Sequence, residues 1–252
     1  MVLEFHFSDS DLNLEIDGEF NQRLIVHCYE YFDRKLLDVV SFRETNQIHS
    51  QAKTLDLIQK AIDKTSSLSE QFKGRPSIIV HPGGYSLNEL TDSEILAMKN
   101  KLVDAVNQLD FKNVNFLLEN MPPYAWFFGG RWNSNVFLST TDMEDYCKET
   151  GLNVCFDLCH SQLYCNKNKL SIIDELKKIE KYVNHFHLSD ATGEDGEGLQ
   201  FGKGDLPFEE VIPILNNQAK SFVIEVWQGH QENGKGFKEF LDKITKAGLI
   251  IS

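Results

Sequence analysis

Asn153–His160, NVCFDLCH, and His185–Asp190, HFHLSD, are short apolar runs that stop abruptly in groups able to bind a metal. A buried strand has no use for Asp157, His160 or His187 at its end unless something there pairs with them. Five other strand-like runs end the same way: Leu3–Ser8 (LEFHFS), Arg23–Glu30 (RLIVHCYE), Ser77–Gly84 (SIIVHPGG), Asn113–Met121 (NVNFLLENM) and Ser221–Val226 (SFVIEV). Near-continuous apolar strands of this kind belong to a parallel sheet covered on both faces.

Helical stretches fill the gaps. Leu55, Ile58, Ile62 and Leu68 fall at roughly helical spacing between Glu44 and Phe72, and Thr91-Asp-Ser-Glu94 reads as a capping box opening a helix to about Leu109. A helix from about Thr140 to Glu149 stops at Gly151, another covers Leu170–Tyr182, one begins at Pro207, and the last covers Phe237–Ala247. Strand-helix alternation over 252 residues predicts one α/β domain, residues 1–252, closed as a parallel barrel whose strand ends line the site. The sequence supplies seven strands where a closed barrel wants eight, and the deficit is at the front. Either an N-terminal βα unit is missing or the barrel closes unconventionally. Pro122–Leu138, with Trp126, Arg131 and Trp132 and no helical period, is a candidate lid or substrate-binding loop.

A formal charge of −13 without a Lys/Arg cluster argues against nucleic acid and anionic membranes as partners. No apolar run approaches membrane-spanning length. The five cysteines are an odd number without CxxC spacing, for which free thiols in a reducing cytoplasm are the simplest account.

The strand-end groups are His6, His27, His81, Glu119, Asp157 with His160, His185 with His187, and Glu225. Carboxylate and imidazole together suit Mn, Mg, Co or Zn. Period-2 alternation puts His187, nearer the strand end, at the site, with His185 in the layer below. A lone strand-end histidine is more often an ordinary hydrogen-bonded residue, and His6 reads as structural. A glutamate after four apolar residues, as in FLLEN or FVIEV, is harder to dismiss, because no Arg or Lys stands at an equivalent strand end to pair with it.

These motifs resemble the xylose-isomerase-like barrel superfamily, which joins sugar isomerases and epimerases with endonuclease IV. VHPGG, LLENM, FDLCH, HFHLSD and VIEV stand in that family's order from about His27 to the end. The resemblance implies a (β/α)8 TIM barrel with one divalent ion held by Glu119, Asp157, His187 and Glu225. It further implies that Glu119 and Glu225 are the catalytic acid/base pair, passing a proton through an enediolate of a sugar or sugar phosphate. His160 matches a position that contacts substrate oxygens. His27, His81 and His160 match additional zinc ligands of endonuclease IV, so a second metal or substrate contacts are both open there. The endonuclease's Asp-x-His is absent, and Gly202-Lys-Gly-Asp205 resembles the epimerase branch instead. Lys203 is a candidate for a substrate phosphate or carboxylate, and Trp227 for an apolar wall of the pocket. The competing readings are an endonuclease IV-like phosphodiesterase and a non-catalytic sugar-binding barrel. Monomer and homo-oligomer are equally compatible with the sequence.

Overall fold

The computed structural model describes residues 1–217 and 220–250. Seven parallel strands form one sheet in chain order: β1 (Val2–His6), β2 (Arg23–His27), β3 (Ser77–Val80), β4 (Asn115–Glu119), β5 (Val154–Asp157), β6 (Val183–Leu188) and β7 (Ser221–Ile224). The curl is nearly closed: Arg23 Nη2 at the start of β2 and His185 Nδ1 on β6 both reach Ser221 Oγ on β7, at 3.0 and 2.8 Å. No ladder joins β1 to β7 among the described residues, so a seam runs down the barrel where an eighth strand would stand. A 3-10 turn at Asp9–Asn13, and no α-helix, connects β1 to β2.

Period-2 alternation divides the strand residues between two environments. Leu24, Val26, Ile78, Val80, Phe116, Leu118, Val154, Phe156, Phe186 and Leu188 face outward into the main core. There they pack against α1 (Gln51–Leu68), α2 (Asp92–Val106), α3 (Thr140–Thr150), α4 (Leu158–Asn168), α5 (Ile172–Ile179), α6 (Phe208–Asn216) and α7 (Gln231–Lys246). Ile25, Ile79, Leu117 and Cys155 form a separate apolar cluster inside the barrel. Two residues further along each of those strands lie His27, His81, Glu119 and Asp157. The interior is thus a floor of aliphatic side chains under a polar mouth.

Two segments differ from the sequence expectation. Leu158 opens α4 directly after β5, so His160 lies in the first turn of a helix and not on a strand. Asp157 is the N-cap, its Oδ1 accepting the His160 backbone N–H at 2.7 Å. Pro122–Leu138 contains a β-hairpin, Tyr124–Phe127 paired with Gly130–Ser134, extended by Tyr85–Ser86. Its two-residue turn places Phe128 and Gly129 at φ +53° and +74°, the left-handed pair that a tight hairpin requires. All five cysteines are free and buried. No helix among the described residues is long and apolar enough to cross a membrane.

Candidate metal centre

β4, β5, β6 and the residue just past β7 bring Glu119, Asp157, His187 and Glu225 together, with one ligand atom from each lying within 4.8 Å of the others. His187 is the hub: its Nδ1 stands 3.0 Å from Glu119 Oε1 and 3.2 Å from Glu225 Oε2. Its register partner across β5–β6 is Asp157. Asn120 fixes the backbone of Asp157 from the next strand, accepting its N–H at 2.8 Å and donating to its carbonyl at 3.0 Å. The backbone carbonyl of Asn120 accepts the His160 Nδ1–H at 2.8 Å, which turns the other ring nitrogen towards the cavity and Glu197.

The second oxygen of Glu119 meets two more imidazoles. His27 Nε2 lies 3.1 Å and His81 Nε2 3.4 Å from Glu119 Oε2. The His27 Nδ1–H donates to the Cys28 carbonyl at 2.9 Å, so in the neutral ring Nε2 presents its lone pair to a carboxylate lone pair. Such an arrangement holds only with a proton or a cation between the two atoms. His6 stacks on His27 at 4.4 Å and reaches Glu225 Oε1 at 3.3 Å.

Charge is concentrated here without an Arg or Lys among the cavity's lining residues. Burial works to raise the Glu119 carboxyl, but the charge of His187 and hydrogen bonds from His187, His27 and His81 override it and hold the group well below the usual carboxylate range. Glu225 is lowered in the same way, burial being overcome by His187 and His6. Asp157 has less help: burial, with Glu119 and Glu225 adding to it against His160, pushes it up to about 7. Burial opposes protonation of His187, yet Cys155, Glu119 and Glu225 raise it well above the usual imidazole range.

A mixed carboxylate and imidazole donor set, crowded at 3.0–3.6 Å with each Glu119 oxygen shared between two rings, fits a divalent cation. Glu119, Asp157, His187 and Glu225 would hold it, and His27 forms a neighbouring set with Glu119 and His187.

The cavity above these groups has a volume of about 200 Å³. Its walls include Trp126, Phe127, Met121 and Trp227, and Trp227 is 61% exposed at the mouth. Lys203 is exposed and is not one of the lining residues. Its backbone N–H donates to Asp190 Oδ2 at 3.0 Å, so the Gly202–Gly204 turn is folded around that carboxylate. Sequence reasoning missed Glu30, 3.6 Å from His81, and Glu197, 4.0 Å from His160, both on the cavity wall. It also missed Glu4, whose side chain is 2% exposed inside β1 and touches His6, His185 and His187. Alternation with His6 was the available signal for Glu4. Nothing in the loops that carry Glu30 and Glu197 marks either residue.

Residues 15–247 match the family described as xylose isomerase-like TIM barrel. The chain belongs to that family. Among curated proteins it is 26% identical over 200 residues to the uncharacterized protein MJ1614 of Methanocaldococcus jannaschii, covering 79% of this chain and 68% of that one. Among solved structures it superposes on a D-tagatose 3-epimerase-like protein with a TM-score of 0.63 at 19% identity, over 90% of this chain and 80% of that one. Endonuclease IV from Thermus thermophilus gives a TM-score of 0.57 at 16% identity, over 89% and 75%. At these identities the structural likenesses show the shared barrel and no more.

Proposed function

We propose that the chain is a divalent-metal-dependent isomerase or epimerase of an uncharged sugar, moving a proton between Glu119 and Glu225 through an enediolate. The observation that carries this reading is the meeting of two glutamates from separate strands on one histidine nitrogen, at 3.0 and 3.2 Å, beneath a cavity lined by no Lys or Arg. A phosphate would find no cationic side chain there, whereas sugar hydroxyls would find carboxylates and imidazoles to accept from and donate to.

A divalent ion bound by Glu119, Asp157, His187 and Glu225 would supply Lewis-acid polarisation of a carbonyl oxygen. The two glutamates do the proton work. One, held ionised by the surrounding imidazoles, takes the proton from the carbon beside the carbonyl, and the other, after taking up a proton from solvent, delivers that proton to the enediolate. His160, pinned by Asn120, directs its free ring nitrogen at the sugar oxygens. Trp126 and Trp227 supply flat apolar walls at the mouth, as sugar faces require.

The convergence of His27 and His81 on Glu119 Oε2 supports a second reading, a phosphodiesterase of the endonuclease IV type with more than one ion. The anionic cavity and the net charge of −13 weigh against a nucleic-acid substrate. The test is incubation with free ketoses in deuterated water with Mn, Mg, Co or Zn. The expected result is deuterium on the carbon next to the carbonyl. Absence of exchange with every ketose and metal, together with incision of abasic-site DNA, would overturn the first reading in favour of the second.

A further inference from the structure

The floor of the barrel is apolar except in one place. Ile25, Ile79, Leu117 and Cys155 each lie two residues before a mouth-level group, and on β1 and β6 the equivalent positions are Glu4 and His185. A carboxylate at that depth is costly unless something satisfies it. Both Glu4 oxygens are buried without a hydrogen-bond partner, and so are His185 Nε2 and His187 Nε2. These four orphaned atoms face one another: His185 Nε2 is 3.0 Å from Glu4 Oε2, and His187 Nε2 is 3.3 Å from Glu4 Oε1.

The distances are those of hydrogen bonds, but the ring N–H directions do not aim at the oxygens. Two ligands each about 2.1 Å from a shared ion stand about 3.0–3.4 Å apart at octahedral or tetrahedral angles, and their lone pairs then point at the ion and not at each other. Ser221 Oγ anchors the far nitrogen of His185 at 2.8 Å, so that ring is fixed in this pose. His6, at the mouth end of β1, has a side chain 57% exposed and 3.2 Å from Glu4 Oε1.

We propose that Glu4, His185 and His187 form a second, buried divalent-cation site, of zinc or cobalt type, beneath the mouth site. His187 belongs to both sites, with Nδ1 to the mouth and Nε2 to the floor. Filling both therefore removes the ring N–H proton, which leaves to solvent. A bound ion would offset the one carboxylate on the floor and lock the shared ring in place. The site stands on its own geometry, whichever reaction the mouth performs.

The experiment is cobalt titration of chelator-stripped protein, with bound metal counted by plasma mass spectrometry after gel filtration and the visible ligand-field bands recorded. Wild type is expected to retain one more equivalent than Glu4→Gln or His185→Gln. Glu119→Gln is expected to keep the Glu4-dependent equivalent while losing mouth metal. Affinity for the floor ion should fall at least about 100-fold in either floor variant. Should Glu4→Gln fail to fold by circular dichroism, His185→Gln gives the same readout at a neutral residue. Equal metal counts and spectra in wild type and in the folded floor variant would overturn the site and leave Glu4 a water-satisfied carboxylate. Failure of ketose exchange, by contrast, leaves the Glu4-dependent equivalent unchanged, so the two claims fail separately.

Discussion

The barrel mouth and the loops beside it bury carboxylates in opposite ways. In the loops, Asp38 accepts backbone N–H groups from Val40, Gly84 and Tyr85 at 3.0, 2.9 and 3.3 Å, and Asp190 accepts those of Ala191, Lys203, Gly204 and Leu206 at 2.9–3.1 Å. At the mouth and floor, Glu119, Glu225 and Glu4 meet imidazoles and no backbone amide. Amides cannot lose their protons, so a carboxylate they surround is a permanent staple of the loop. Imidazoles can exchange a proton for a cation, so a carboxylate they surround is an open ligand. Asp157 is divided, with one oxygen capping α4 and the group as a whole lying in the candidate metal cluster.

Replacing a mouth carboxylate should therefore abolish chemistry and spare the fold. Glu119→Gln or Glu225→Gln is expected to lower ketose exchange by about 10³-fold or more. The melting temperature of the metal-free protein should fall while the fold survives, because Gln leaves His187 without a carboxylate that offsets its charge. A metal-free Glu119→Gln that melts no lower than wild type would show that the imidazoles there carry no charge for the carboxylate to offset.

The loop carboxylates should behave in reverse. Asp190→Asn sets an amide NH₂ against backbone donors and is expected to cost about 3 kcal/mol in denaturant unfolding. For a chain of this size that is on the order of 10 °C in melting temperature. Gly204 sharpens the contrast with its neighbour. A Cβ there would sit 2.1 Å from the Ala191 carbonyl oxygen and 2.5 Å from Asp190 Oδ1, whereas one at Gly202 meets nothing. Gly204→Ala should cost about 2 kcal/mol or more by pushing the turn off its carboxylate. Gly202→Ala carries only the penalty of its left-handed φ of +71°, about 1 kcal/mol. Equal effects at the two glycines would remove the staple from the account of this loop.

The same contrast explains what the sequence made legible. Strand period, strand order and the polar ends of the strands could all be read, because each reflects alternation along one run of residues. α4 was hidden because Leu158, Cys159, Ser161, Gln162, Leu163 and Cys165 are all buried, which leaves no apolar stripe to set a period. Its start was nevertheless written in FDLCH, where an aspartate three residues before His160 is an N-cap as well as a candidate ligand. Glu4 was hidden for another reason. A single glutamate near a chain start is ordinarily solvated, and only closure of the barrel brings His185 and His187 against it. The staple role of Asp190 needed the Gly202–Gly204 turn folded back on it, a contact thirteen residues away in sequence.

Cys28 supplies a third kind of buried titratable group, one whose sulfur meets the single backbone N–H of Tyr29. It is 3% exposed, and burial pushes its thiol up to about 12. In the unfolded chain the thiol ionises near about 8.5. Between those values the native state keeps a proton that the unfolded state has lost, so stability is intact below about pH 8.5 and falls as pH rises towards about 12. The slope from this one group is about 1.4 kcal/mol per pH unit, the smallest effect in the series at pH 9 and a growing one above it. Denaturant unfolding of wild type and Cys28→Ala from pH 8 to pH 10.5 measures it. The variant loses packing at every pH but should lose less as pH climbs, so the two stability curves converge. Parallel curves would mean that the thiol ionises in the folded protein as readily as in the unfolded chain, and that burial beside a single amide costs a titratable group less here than the carboxylates of the loops and the mouth imply.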